Sequence, residues 1–203
     1  MGEGLGMGVT GRWPCSRRSP HHPHLPSPIE GVGRTEKALK ITRLGWTAYA
    51  VAAATLVLDQ ISKLWILGLL GREQGSSVQA IGPLYLTMVH NYGMSFGLLK
   101  DHDWGRWLLI GFSILVVIGL SFWARKATKL LPAIGVGMII GAAIGNNLID
   151  RVLYGYVVDF IDVSRLNFPW VFNVADSAIN IGVALLLIDS FLYGEKKLAD
   201  PAE

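Results

Sequence analysis

The chain is poor in the features that most simple catalytic readings need. Cys15 is the only cysteine in 203 residues, which excludes an intrachain disulfide and any cysteine-based metal site. No HExxH pattern is present, so that route to a metal centre is closed as well. Ser95 and His90 share a loop and Ser177 follows Asp176, but neither serine has a base positioned for it by spacing. Charge is scarce too, at 16% of residues, and the net charge of +3 is small. No nucleic-acid partner is expected. The N-terminus lacks an apolar run behind its first residues, so it does not read as a signal peptide.

Apolar residues are abundant instead. They make up 51% of the chain, and the mean hydropathy is +0.41, which points to a membrane protein. Residues 1–36 stand apart: GRWPCSRRSPHHPHLPSP is rich in Gly, Pro, His and Arg and has no apolar period. It reads as a disordered tail, with HHPH as incidental histidines rather than a metal site. Four apolar stretches follow, near residues 44–70, 104–123, 131–154 and 174–193. Each approaches the roughly 20 residues that span a bilayer as a helix.

Basic residues cluster before the first span (Arg34, Lys37, Lys40, Arg43), between the second and third (Arg125, Lys126, Lys129) and after the fourth (Lys196, Lys197). An even number of spans puts all three clusters on one side, the cytoplasm by the positive-inside rule. Two segments then lie outside, near residues 71–103 and 155–173. The first alternates apolar and polar residues and reads as short strands on the membrane surface. Trp65, Trp104, Trp170 and Tyr156 fall at the same interface, as an aromatic belt does.

The polar residues inside this frame gather in one layer. Asp59 lies about 15 residues into the first span, ~22 Å from the inner face at helical rise. Asp150 and Arg151 close the third span, Asp176 opens the fourth, and Asn91, Asn147, Asp159 and Asn173 fall at the same level. Ionisable groups at such depth have a partner or a task. Asp59 and Lys63, four apart on one helix face, form an ion pair in the structural reading. Asp150 and Arg151 do not face each other and fix different helices. Asp162 and Asp189 read as incidental. Asp176, three residues after Asn173, fits a capping box and the dipole of the helix it opens. Asp159 has no such account: within VVDFI, among large apolar residues, its carboxyl pKa is pushed up. Two carboxylates in different environments suit acid/base chemistry, one ionised to activate water and one protonated to donate to a carbonyl oxygen.

Five short motifs in order then resemble the lipoprotein signal peptidases of bacteria (signal peptidase II). LDQISK (Leu58 to Lys63) resembles the D-Q-x-x-K of that family, NYGMSFGLL (Asn91 to Leu99, with Gly93) its N-x-G-x-x-F loop, and GNNLIDR (Gly145 to Arg151) its G-N-x-x-D-R. VVDFID (Val157 to Asp162) and FNVADSAI (Phe172 to Ile179) resemble its two aspartate motifs. The likeness covers about residues 44–193. Counting back three from Asp150 makes Asn147 the motif asparagine, and Asn146 stands where Gly is usual. Ser95 stands where a small Ala is common.

The resemblance implies an all-α membrane protein of four transmembrane helices, with a small extracytoplasmic β-cradle around residues 72–100 and a short gating helix after Asp159. It implies a peptidase domain over 37–197, followed by a C-terminal tail over 198–203; the compositional tail over 1–36 has no counterpart in the family. The implied activity is an aspartic endopeptidase that cuts prolipoproteins on the amino side of a diacylglyceryl-bearing Cys. Asp159 and Asp176 are the implied catalytic pair. Asp59, Lys63, Asn91, Asn147, Asp150, Arg151 and Asn173 are the implied supporting or substrate-contacting residues, with Gly93 in its loop. No metal or other cofactor is implied, and membrane lipid is the expected surrounding. One chain is expected to hold the whole site and to act as a monomer, with both termini in the cytoplasm and the site near the outer face. Ionised Asp176 and protonated Asp159 form the expected resting state of the pair. The competing reading is a small transporter or proton-coupled channel. A polar layer confined to one level argues against it.

Overall fold

The computed structural model describes residue 1 and residues 40–93 and 104–199, with side chains to residue 192. The expected tail over 1–36, the end of the chain from residue 200, and Met94 to Leu99 of the NYGMSFGLL motif lie outside the described residues.

Four helices are long and apolar enough to cross a membrane. Helix α1 (Arg43–Leu70) starts at Thr42, whose side chain accepts a hydrogen bond from the Gly45 N–H, and stops at Gly71, with φ of 73°. Helix α2 is Trp104–Ala124. Helix α3 spans Leu130–Leu153. Helix α4 is Val174–Ala199, six residues longer than the apolar run that announced it. Their outward faces carry large exposed apolar side chains such as Leu58, Phe112, Leu115 and Phe191, as lipid-facing helices do.

Small residues hold the bundle together. Along α3, Gly137, Gly141 and Gly145 recur every fourth position and face α1. A Cβ on Gly137 or Gly141 would run into the carbonyl oxygens of Ala48 and Ala52, and one on Gly145 would meet Asp59 Oδ2 at 2.6 Å. On another side of α3, Gly135 meets Gly182 of α4, where an added Cβ on Gly135 would lie 2.7 Å from the Gly182 carbonyl. In lipid, where apolar burial drives helices together weakly, such close approach supplies the packing. Ala48, Ala52, Ala124, Ala133, Val136 and Ile140 form the resulting core.

The ridge has a break in regular geometry. Residues Ile144–Asp150 of α3 form a π-helix, followed by one α turn, Arg151–Leu153. Gly145 and Asp150 are five residues apart, which in an unbroken α-helix puts them about 140° apart around the axis. In a π turn, closed by i to i+5 bonds, both come to one face. Gly145 touches Asp59 and Asp150 reaches Lys63, both on α1.

The segments between α1 and α2 and between α3 and α4 join into one antiparallel sheet in the order β1-β2-β3-β4: Ser77–Ile81, Leu84–Asn91, Val157–Asp162 and Val171–Phe172. The sequence led us to expect strands only in the first outer segment. The aspartate motif VVDFID is itself a strand, because Val158 and Phe160 bury against Ile66 of α1 and Met88 of β2. The short helix expected after Asp159 is a single 3-10 turn, Ser164–Leu166.

Candidate active site

The site is built where the end of α1, the π turn, β2, β3 and the start of α4 meet. Alternation along β3 decides which way Asp159 points: Val158 and Phe160 enter the core, so Asp159 turns to the opposite face. Asn91 of β2 pairs with Val157, two positions along the strand, and reaches diagonally to Asp159. Its Nδ2 donates to Asp159 Oδ2 at 2.9 Å, while its Oδ1 accepts from the Gly93 N–H at 2.8 Å.

Asn173 sits between the two aspartates. Its Nδ2 donates to Asp159 Oδ1 at 2.7 Å, and its Oδ1 accepts from the Asp176 N–H at 2.9 Å. The Asn173 N–H returns a bond to Asp176 Oδ2 at 3.2 Å. This is the reciprocal capping box anticipated from the spacing. Asp176 nevertheless also faces open space. A cavity of about 600 Å³ is lined by Asp159 and Asp176 together with Asn91, Phe168, Trp170 and Ile181. The capping and chemical roles of Asp176 are therefore compatible.

Behind the pair lies a buried ionic cluster. Lys63, 1% exposed, donates to Asp59 Oδ2 at 2.7 Å and lies 2.8 Å from Asp150 Oδ2. Gln60 bridges the two acids, with Nε2 donating to Asp59 Oδ2 at 3.1 Å and Asp150 Oδ1 at 3.0 Å. A buried cation needs this degree of satisfaction to offset its lost hydration. The acids also tie elements together. Asp59 Oδ1 accepts from the Ala175 N–H at 3.0 Å, and Asp150 Oδ2 from the Val158 N–H at 3.2 Å. The first fixes the start of α4 to α1; the second fixes β3 to α3.

Asn147 and Arg151 form a pair of their own, Nε donating to Asn147 Oδ1 at 2.9 Å. Among the described residues, Asn147 makes no hydrogen bond to either aspartate of the pair. The buried guanidinium packs under Gly93, where a Cβ would lie 2.7 Å from Nη2. Its Nη1 is buried without a hydrogen-bond partner among the described residues. Asn146, passed over when the motif was counted back from Asp150, is the asparagine that reaches the pair: Nδ2 donates to Asp176 Oδ1 at 2.9 Å. The sequence signal for it was the doubled asparagine; the signal for Gln60 was its place in D-Q-x-x-K. Asp189, read as incidental, pairs with Lys129 at 3.1 Å and joins α4 to the start of α3. Asp162 likewise has a partner, accepting from Thr87 of β2 at 2.7 Å.

Asp159 is 2% exposed. Burial first, and the nearby charge of Asp176 second, push its carboxyl up to about 7, against the pull of the Asn91 and Asn173 amides. At this site, two cations, Lys63 and Arg151, face four carboxylates: Asp59, Asp150, Asp159 and Asp176. An excess of negative charge in a buried place favours retention of a proton, and the raised Asp159 is where it is most easily kept. Among the described residues, no group of three or more His, Cys, Asp or Glu side chains is arranged to hold a metal ion.

Comparison with known proteins points to one family. Residues 51–192 match the family model described as signal peptidase (SPase) II. A lipoprotein signal peptidase of Caulobacter vibrioides is 75% identical over 166 residues, 82% of this chain and 99% of the relative. One from Alteromonas mediterranea is 38% identical over 152 residues, 72% of this chain and 81% of the relative. A bacterial membrane enzyme solved by the in meso method at 2.3 Å resolution superposes with a TM-score of 0.65 at 29% identity. That superposition covers 81% of this chain and 97% of the solved one. The chain belongs to the signal peptidase II family, the multi-pass bacterial inner-membrane proteases that process the signal peptides of prolipoproteins.

Proposed function

We propose that Asp159 and Asp176 are the catalytic pair, and that the enzyme cleaves diacylglyceryl-modified prolipoproteins on the amino side of the lipid-bearing Cys. The observation that carries this reading is the pair itself: two carboxylates joined through Asn173 and lining one cavity of about 600 Å³. In the resting state Asp176 is ionised and Asp159 holds the proton. Asp176 then takes a proton from water as the water attacks the scissile carbonyl, and Asp159 donates to the carbonyl oxygen. As the C–N bond of the resulting gem-diol breaks, the proton taken by Asp176 passes to the leaving amine, and a gem-diol hydroxyl returns a proton to Asp159 as the new carboxyl forms.

The raised carboxyl of Asp159 supports this division, as do the capping bond from Asn173 and the helix start at Asp176, which favour negative charge there. The position of the site follows from the substrate. Its lipid lies in the outer leaflet and its signal peptide crosses the bilayer, so cleavage belongs at the outer interface, where water is at hand. Both termini then lie in the cytoplasm, and one chain carries the whole site as a monomer. The loop bearing Phe168 and Trp170, which follows the 3-10 turn, borders the cavity and gates it. The core below the polar layer is built of Ala, Val and Ile, which argues against a path for solute.

The test is cleavage of a diacylglyceryl-modified prolipoprotein by the detergent-purified enzyme. Asp159→Asn and Asp176→Asn should each abolish cleavage while unfolding at near wild-type temperature. Cleavage that survives both substitutions would move the chemistry elsewhere.

A further inference from the structure

We propose that Asn146 is a positioning residue for the catalytic pair, fixing Asp176 against the buried Lys63. The inference rests on the reading of Asp159 and Asp176 as the pair, and it adds a residue that the motif spacing does not mark.

An ammonium group has three N–H donors and no acceptor. Those of Lys63 go to Asp59 Oδ2 at 2.7 Å, Asp150 Oδ2 at 2.8 Å and Asn146 Oδ1 at 2.6 Å. The third contact determines the orientation of the amide. Only oxygen can face a donor-only group, so the two ends of the Asn146 side chain are not interchangeable. Its NH2 must point away from Lys63, and there it meets Asp176 Oδ1 at 2.9 Å and, more distantly, Asn173 Oδ1 at 3.4 Å. A cation on the oxygen side polarises the amide and strengthens it as a donor on the other side. Asp176 Oδ2 is already held by the Asn173 N–H. Both oxygens of Asp176 are thereby fixed, and the carboxylate cannot rotate away from the cavity.

Asn146 and Asp150, four residues apart, share a face in regular α geometry as well, and the π turn adds Gly145 to that face. Asn146 and Asp150 both reach Lys63, while Gly145, beside Asn146, lies against Asp59. Regular α geometry would carry Gly145 and Asp150 to different sides of the helix. GNNLIDR holds one residue more than G-N-x-x-D-R, and a π turn absorbs one residue while keeping the flanking turns in register.

Two variants separate positioning from packing, run beside Asp159→Asn and Asp176→Asn on the same lipidated substrate. Asn146→Ala removes the donor and the acceptor. Asn146→Asp keeps an acceptor for Lys63 and nearly the same shape, but turns an oxygen rather than an N–H toward Asp176. The expected result is a fall in kcat of about 10- to 100-fold in both, with KM nearly unchanged. A merely structural role, in which Asn146 only fills space and accepts from Lys63, predicts Asn146→Ala impaired and Asn146→Asp close to wild type, and that result would overturn the proposal. Wild-type kcat in both, with the two aspartate variants dead, would remove Asn146 alone and leave the pair standing. Cleavage by the aspartate variants themselves would sink the pair first.

Discussion

Asp159 accepts two amide hydrogen bonds, from Asn91 and Asn173, and makes no ion pair among the described residues. Its carboxyl, raised by burial to about 7, binds a proton in the folded protein over a range where the unfolded chain, near 3.8, has lost it. Stability from this group is therefore fully present below the unfolded value and is lost as pH rises through about 7. We expect the unfolding temperature in detergent to fall between pH 5 and pH 8, and Asp159→Asn to flatten that slope; an unchanged slope would refute the assignment. The cleavage rate should decline above about pH 7 for the same reason, as the protonated partner is lost. Gly93 is a second residue whose chemistry is dictated locally. Its φ is 93°, and a Cβ there would strike Arg151 and Leu109. Gly93→Ala should cost about 1–2 kcal/mol from the backbone alone, with the displacement of Arg151 in addition; thermal unfolding measures it.

Among the elements, α3 does most of the positioning. Gly141→Ala should lower the unfolding temperature and the activity together, because its Cβ meets the backbone oxygen of Ala52 and pushes away the helix that bears Asp59 and Lys63. Gly119→Ala in α2, where nothing lies within 4 Å, should be neutral or stabilising by up to about 1 kcal/mol. Deleting Leu148 from the π turn should be tolerated, with most activity kept, since the turn can relax to α geometry; deleting Val136 from the regular part should abolish it. Much of this scale was legible in the sequence. The four spans follow from apolar runs of the right length, and the start of α4 follows from Asn173 and Asp176. The π turn was not legible, because an apolar run does not show where i to i+5 bonding replaces i to i+4, and counting back three within the motif leads from Asp150 to Asn147 rather than Asn146. The strand at VVDFID was hidden for a related reason. It is buried from Val157 to Phe160, so the alternation that marks a half-exposed strand is missing.

For the whole molecule, one layer of charge lies at one level of an otherwise apolar bundle, and the topology sets which side it faces. In a Cys15→Ser background, Glu73→Cys, between α1 and β1, should react with a membrane-impermeant thiol reagent applied outside spheroplasts. Lys126→Cys, between α2 and α3, should react only after the membrane is opened. The reverse pattern would invert the orientation argued from the basic clusters. The bond from the Ala175 N–H to Asp59 joins positions 116 residues apart, the first span to the start of the last. During synthesis, Asp59 and Lys63 enter the membrane long before Asp176 is made. On the proposed pairing, a nascent chain that has not yet inserted its final helix holds Asp159 without its partner and should not hydrolyse substrate. Insertion of the fourth span would then be the step that switches hydrolysis on.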